Sequence, residues 1–175
     1  MFNLDLKDKV ILITGGSDGL GYASAELLSS EGAKVIICGR RGDYLNEKAK
    51  TISEKTNNNV LAIQADVSKA EDCKRLVEET ISKFKKIDIL VNNAGASAAA
   101  LFEDVSDKNW EDDINLKLMS TIRMCRLVIP YMKSNDKGVI INATIGGGNA
   151  LNAGSLPTTV TRAAGINLTK SRANE

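Results

Sequence analysis

No histidine occurs among the 175 residues of this chain, and that single absence removes much hydrolytic chemistry. Without imidazole there is no Ser-His or Cys-His nucleophile pair and no zinc site of the usual histidine-containing kinds. Cysteine is scarce: Cys38, Cys73 and Cys125 are widely spaced and odd in number. They fit neither a disulfide framework nor metal-ligand spacing, suit a reducing compartment, and read as small apolar core side chains. Long hydrophobic runs are missing as well, since the apolar stretches at 10–13 and 35–38 are far too short to span a bilayer. The N-terminus carries acidic residues and no apolar stretch, so it does not read as a signal peptide. The net charge is +1 with no basic block, which gives no purchase on nucleic acid or an anionic membrane. These absences predict a cytoplasmic protein with no nucleic-acid or membrane partner and no metal. Internal repeats, low-complexity tracts and Pro-rich linkers are also lacking.

What remains is an ordinary globular composition, 43% hydrophobic and 26% charged, over a length that suits a single domain, residues 1–175, with a real core. Short β-branched runs alternate with longer amphipathic ones. Strands are predicted at 9–14, 34–39, 59–66, 87–95 and 138–143. Helices are predicted at 19–31, from the second strand to about residue 56, at 68–84, at 106–133, and from near Pro157 to the end. Such alternation predicts an α/β fold with a doubly wound, Rossmann-like parallel sheet covered on both faces, which binds ligands beyond the C-terminal ends of its strands. The pattern stops inside a helix after the fifth strand. The sheet therefore reads as incomplete in its C-terminal half, with strand five an uncovered edge and the chain part of a longer one.

The segment TGGSDGLG (residues 14–21) follows the first strand and opens the first helix. Gly15 allows the sharp turn, Gly19 lets the backbone approach a pyrophosphate, and Gly21 lets helix pack on strand. Ser17, Asp18 and Leu20 lie in the same loop, where free N–H groups and the positive end of the helix dipole meet an anion. This segment, beginning at Thr14, resembles the T-G-x-x-x-G-x-G signature of the short-chain dehydrogenase/reductase family. NNAG (92–95) resembles that family's second signature and brings Asn93, Ala94 and Gly95 to the cofactor. ADVS (65–68) is similar to the segment whose aspartate, here Asp66 with Val67 beside it, holds the adenine ring. DINLKLM (113–119) places Asn115 where the resemblance implies an active-site asparagine, and INLTKSRANE (166–175) resembles the helix leading away from the catalytic lysine.

The resemblance implies a nicotinamide dinucleotide. A carboxylate at the end of strand two would bind the ribose hydroxyls of NAD, whereas arginine suits the 2′-phosphate of NADP. Here CGRRGD (38–43) puts Gly39 at the carboxylate position and Arg40 and Arg41 next. Because the guanidinium fork donates two parallel hydrogen bonds to phosphate, NADP is favoured, with NAD possible. Asp18 and Asp43 argue the other way.

The family's proton chemistry is where the chain departs. The resemblance implies a serine after strand five, a tyrosine thirteen residues on and a lysine four beyond that. In register these positions hold Ile145, Thr158 and Arg162. A threonine hydroxyl is far too weak an acid to replace a phenol, and arginine does not release its proton near neutrality. The candidate catalytic set is therefore Asn115, Thr144, Ser155, Thr158 and Arg162. Thr144 or Ser155 stands in for the serine, and Arg162 binds the cofactor ribose or steadies an oxyanion. The expected function is an NAD(P)(H)-dependent oxidoreductase with an atypical active site, acting on a small-molecule carbonyl, alcohol or enoyl substrate. The alternatives are a catalytically inactive cofactor-binding subunit, or a fragment without function. The resemblance also implies a homodimer or homotetramer formed through the helices at 106–133 and 157–175, where Arg172 replaces an expected apolar residue.

Overall fold

Strand β1 (Val10–Thr14) is buried along its whole length because its two faces enter different cores. Val10 and Leu12 join Ile36, Ile63, Leu76, Leu90, Met124 and Val128 on one side. Ile11 and Ile13 join Ala25, Val35, Ile37, Leu45 and Ile52 on the other. A strand that is apolar at every position needs cover above and below, and helices provide it on both faces. The computed structural model describes residues 4–146 and 153–174. In order these form β1, α1 (Gly19–Ser30), β2 (Lys34–Gly39), α2 (Gly42–Thr56), β3 (Leu61–Gln64), α3 (Ala70–Phe84) and β4 (Ile89–Asn92). There follow α4 (Asp107–Asp113), α5 (Ser120–Ser134), β5 (Val139–Asn142) and α6 (Thr158–Ala173).

The five strands are all parallel in the order β3-β2-β1-β4-β5. This is the doubly wound, Rossmann-like α/β sheet expected from the sequence. Its strand order reverses between β1 and β4, which opens a crevice at their C-terminal ends. The loop from β1 into α1 lines one side of that crevice and the loop after β4 the other. Strand β5 lies at an edge, with Val139 and Ile141 each about half exposed (52% and 50%).

Three predicted elements differ in detail. The strands expected at 59–66 and 87–95 end early, at Gln64 and Asn92, because the residues beyond them turn to make side-chain bonds. Asp66 accepts from the backbone and hydroxyl of Ser68, and the Asn93 amide donates to the carbonyls of Thr14 and Gly15. The single helix expected at 106–133 is interrupted by a π-helical turn, Ile114–Met119, between α4 and α5. Such turns carry one extra residue, shift the face the helix presents, and are common at functional sites.

Thr14 ties the two halves of the sheet together at the crevice. Its hydroxyl accepts from the backbone N–H groups of Asn93 and Ala94, each at 3.0 Å. Thr14→Val keeps the shape and leaves both N–H groups without their acceptor. The expected cost is roughly 1–3 kcal/mol, read as a lower urea midpoint at unchanged slope.

Candidate active site

Gly15 leaves β1 at a φ of +67° and Gly19 begins α1 at +52°, both in the region that favours glycine. A Cβ on Gly15 would lie 2.9 Å from the Ala94 Cα, and one on Gly21 would overlap the Gly15 carbonyl oxygen and stand 2.5 Å from the Asn93 amide nitrogen. Gly19 meets nothing within 4 Å. Thus Gly15 and Gly21 are required for close packing inside the protein, while Gly19 faces open space at the helix N-terminus. The resulting cleft has a volume of about 740 Å³. Thirteen of the fourteen residues expected at the cofactor either line it (Gly15, Ser17, Asp18, Gly19, Leu20, Arg40, Arg41, Asp66, Val67, Asn93, Ala94, Gly95) or, like Gly21, hold its wall. Thr14 lies just beneath, fastening β1 to β4. A dinucleotide fits this donor set, since the open helix terminus meets the pyrophosphate and Asp66 lies at the adenine end.

At the far end of that cleft Arg41 donates to Asp18 at 2.6 Å, and the Tyr44 hydroxyl donates to the other Asp18 oxygen, also at 2.6 Å. The Arg41 guanidinium lies 4.1 Å from the centre of the Tyr44 ring. Asp18 is therefore neutralised by Arg41, and Arg40 adds a second cation to the same wall. Gly39, at the end of β2, contributes no carboxylate. Asp43 is exposed in the first turn of α2 and does not line the cleft. Cys38, also on the wall, is fully buried, and burial pushes its thiol up to about 12, so it stays protonated.

The expected catalytic residues are only partly brought together. Thr158 begins α6 and is buried. Arg162, one turn on, donates to the Ala143 carbonyl at 2.8 Å, just past β5. A Cβ on Gly95 would lie 2.5 Å from its Nη2, so the guanidinium spans the ends of β4 and β5. Its Nε is buried with no hydrogen-bond partner among the described residues. Burial lowers the affinity of Arg162 for its proton, against Asp113, which raises it. Ser155 is half-buried, its carbonyl accepting from the Thr159 N–H. Thr144 is exposed beyond β5. Of the glycine run after it, Gly147 and Gly148 lie outside the described residues.

The structure does not bring Asn115 to this group. Its side-chain oxygen accepts from Arg123 at 3.2 Å, and Arg123 also donates to the Ser68 carbonyl, so Asn115 faces the start of α3. The reason is its spacing in the helix: Asp113 and Lys117 point towards α6, and a residue midway between them points elsewhere.

Lys117 is the residue that sequence reasoning missed. Its side chain and that of Asp113 are 1% and 2% exposed and form an ion pair. The ammonium also donates to Thr158 Oγ1 at 2.7 Å, and Thr161 Oγ1 donates to the second Asp113 oxygen at 2.6 Å. Burial holds Lys117 below an ordinary lysine, with Arg162 acting in the same direction and Asp113 opposing. A signal was present in the sequence: Asp113 and Lys117 are four apart and in line with the buried stripe Thr121, Met124, Val128 and Met132, so two opposite charges interrupt a core face.

A family model described as short chain dehydrogenase matches residues 9–175. The 11-beta-hydroxysteroid dehydrogenase A of Sesamum indicum is 34% identical over 142 residues, covering 81% of this chain and 40% of that protein. A 3-oxoacyl-acyl-carrier-protein reductase of Chlamydia trachomatis is 36% identical over 137 residues, 78% of this chain and 55% of that one. The chain thus spans about half the length of these curated relatives. Among solved structures, L-sorbose reductase from Gluconobacter frateurii, complexed with NADPH and L-sorbose, superposes with a TM-score of 0.93 at 33% identity. That match covers 99% of this chain and 66% of the reductase. A 7-alpha-hydroxysteroid dehydrogenase complexed with NADH gives a TM-score of 0.90 at 29% identity, covering 96% and 66%.

Two outcomes are expected here. Gly21→Ala, which must displace the Gly15 turn, should weaken dinucleotide binding by at least about tenfold, or 1.4 kcal/mol, in a fluorescence titration. The second concerns pH. With the Lys117 titration lowered in the folded state, the unfolded chain holds a proton that the folded chain has released. Stability should therefore rise with pH from the folded Lys117 titration up to that of an ordinary lysine. The difference in unfolding free energy between the wild type and Lys117→Met, followed by urea melts at several pH values, should show that slope.

Proposed function

The chain belongs to the short-chain dehydrogenase family, and on that premise we propose that it is an NADP(H)-dependent oxidoreductase. It transfers hydride between the nicotinamide and a carbonyl, alcohol or enoyl substrate at an atypical active site. The observation that carries this reading is the glycine cleft at the β1/β4 crevice, in which both family signatures converge. Its preference for NADP over NAD is supported by the charge at the adenosine end. Arg41 pairs with Asp18, Arg40 lines the same wall, and β2 ends in glycine where a carboxylate would repel phosphate, so an added 2′-phosphate finds guanidinium donors there.

When bound, the cofactor supplies or accepts the hydride. The chain's own residues do the rest. Backbone N–H groups at the start of α1 hold the pyrophosphate, and the Gly95 backbone leaves room for Arg162 at the nicotinamide end. The Arg162 guanidinium, which lies against Gly95, is the donor for a ribose hydroxyl or a developing oxyanion. A cytoplasmic location belongs to the same reading and is supported by three free, buried thiols; no helix among the described residues is long and apolar enough to cross a membrane. Pairing into a homodimer or homotetramer through α4–α5 and α6 is supported by an open cleft of about 890 Å³ beside α5 and α6, with Ile122, Ile129 and Leu168 on its wall.

Calorimetry with NADPH and NADH tests the reading. NADPH should bind the more tightly, and replacing both Arg40 and Arg41 by alanine should remove most of that advantage, on the order of tenfold or more, leaving NADH little changed. Failure of a folded chain to bind either dinucleotide would overturn the proposal, and equal affinities would overturn its cofactor preference. Binding without turnover on a panel of carbonyl and enoyl compounds would favour the cofactor-binding subunit instead.

A further inference from the structure

Resting on this reading of the cleft, we propose that the proton for the reaction is stored on Lys117 and delivered through the Thr158 hydroxyl, so that the helix before β5 supplies the acid that α6 lacks. Three observations converge on that pair. First, Thr158 Oγ1 accepts two hydrogen bonds, from the Lys117 ammonium at 2.7 Å and from the Ala98 N–H at 3.2 Å. A hydroxyl has two lone pairs and one hydrogen. With both lone pairs engaged by N–H groups, its hydrogen is left to be donated. Second, Thr158 stands at the start of α6 beside the 96–100 loop, one turn before Arg162, whose guanidinium lies against Gly95 on the cofactor cleft. Third, Lys117 is fixed from behind by Asp113, whose other oxygen is held by Thr161. A buried carboxylate with both oxygens committed keeps the ammonium aimed at Thr158.

The chemistry balances. A bound reduced nicotinamide would supply the hydride for the new C–H bond, and the carbonyl π pair would then move to oxygen. That oxygen takes the hydrogen of the Thr158 hydroxyl, and Thr158 takes one from the Lys117 ammonium as the new O–H bond forms. Lys117 becomes an amine and regains a proton from water. The products are the alcohol and the oxidised cofactor. A lone threonine hydroxyl is too weak an acid for this role. In concert with an ammonium it needs to release nothing of its own, since every proton it gives is replaced in the same step. Burial also lowers the hold of Lys117 on its proton, the direction a proton donor needs. The charged groups that face it are Asp113 from α4 and Arg162 from α6. The 96–100 loop presents only alanine and serine, and α5 adds the Thr121 hydroxyl, which bonds the Lys117 carbonyl.

Thr158 is thus the catalytic donor and Lys117 the residue that works through it. The test uses the whole chain with isotopically labelled lysine side chains, and Lys117→Met assigns the Lys117 signal. Lys117 should titrate below the surface lysines. Thr158→Val, which removes the acceptor and keeps the shape, should lower that titration further, and Thr158→Ser should restore it. In NADPH-dependent turnover, Lys117→Met and Thr158→Val should each lose about 10²–10⁴-fold in rate, with NADPH affinity kept within twofold. The limb of the pH–rate profile set by Lys117 should disappear in Lys117→Met, and Thr158→Ser should recover most of the rate. A Lys117 that titrates with the surface lysines, or is indifferent to Thr158→Val, would overturn the proposal. So would a Lys117→Met enzyme with wild-type turnover and pH profile. Absence of NADPH binding would instead defeat the functional reading on which it rests.

Discussion

The clasp between β1 and β4 is the constraint from which the site follows. Thr14 takes the two N–H groups that the chain exposes as it leaves β4, and the Asn93 amide returns two bonds to the carbonyls of Thr14 and Gly15. At a reversal of strand order the neighbouring helices lie on opposite faces, so nothing from a crossover fills the gap between the strand ends. These side-chain bonds hold the gap at a fixed width. With the width fixed, the Gly15 turn, the open N-terminus of α1 and the backbone of Gly95 all face one space. The walls of that space are the start of α1 on one side and the 93–96 loop on the other. Loosening the clasp would alter each of those positions together.

A second set of polar groups continues the same logic towards β5. The Asn92 amide donates to Asn142 on β5, which donates to Thr169 on α6. Arg162 adds the bond to Ala143. Helix α6 is therefore placed by side-chain bonds to strand ends as well as by apolar packing. This matters because α6 carries Thr158, Thr161 and Arg162, three groups whose separation from the β4 loop and from the π turn sets the geometry of the site. Burying Asp113, Lys117 and Arg162 so close together carries a large desolvation penalty, offset only where the charges are paired and their remaining lone pairs and hydrogens engaged. The pair meets that condition through Thr158 and Thr161. Arg162 meets it in part, through Ala143, and its Nε is the exception.

How much of this was legible in the chain varied with how local the determining interaction is. The sheet was readable because β1, β2 and β4 are short β-branched runs between turn residues, and the glycine cradle because strand, turn and helix follow directly in sequence. Two strand ends were set too far along, since Asp66 and Asn93 leave the ladder for side-chain bonds that no periodicity announces. The π turn was invisible for a like reason: its extra residue is stabilised by contact with α6, more than forty positions later. Asn115 was placed at the site by resemblance, and the helix turns it towards Arg123. Lys117 was passed over because a lysine on a charged helix reads as solvated. Only its register with Thr121, Met124 and Val128 showed that it lies on the inner face.

The departures from the family pattern become a single chemical exchange when Lys117 is included. A phenol is long enough to reach a substrate from α6 and acidic enough to work with one nearby cation. A threonine at the same position reaches less far and holds its proton much more tightly, so it is useful only if a cation touches it directly and replaces the proton it gives. In the family arrangement that cation comes from one turn along α6. Here that place is occupied by Arg162, which bonds to Ala143 and does not release a proton near neutrality. A donor for Thr158 must then come from another element, and the facing turn of the helix before β5 is the element packed against it. A lysine there would be expelled to solvent unless a carboxylate one turn away accompanied it into the core, as Asp113 does. Threonine, arginine, lysine and aspartate at these four positions therefore depend on one another, and none of the four makes chemical sense in this site alone.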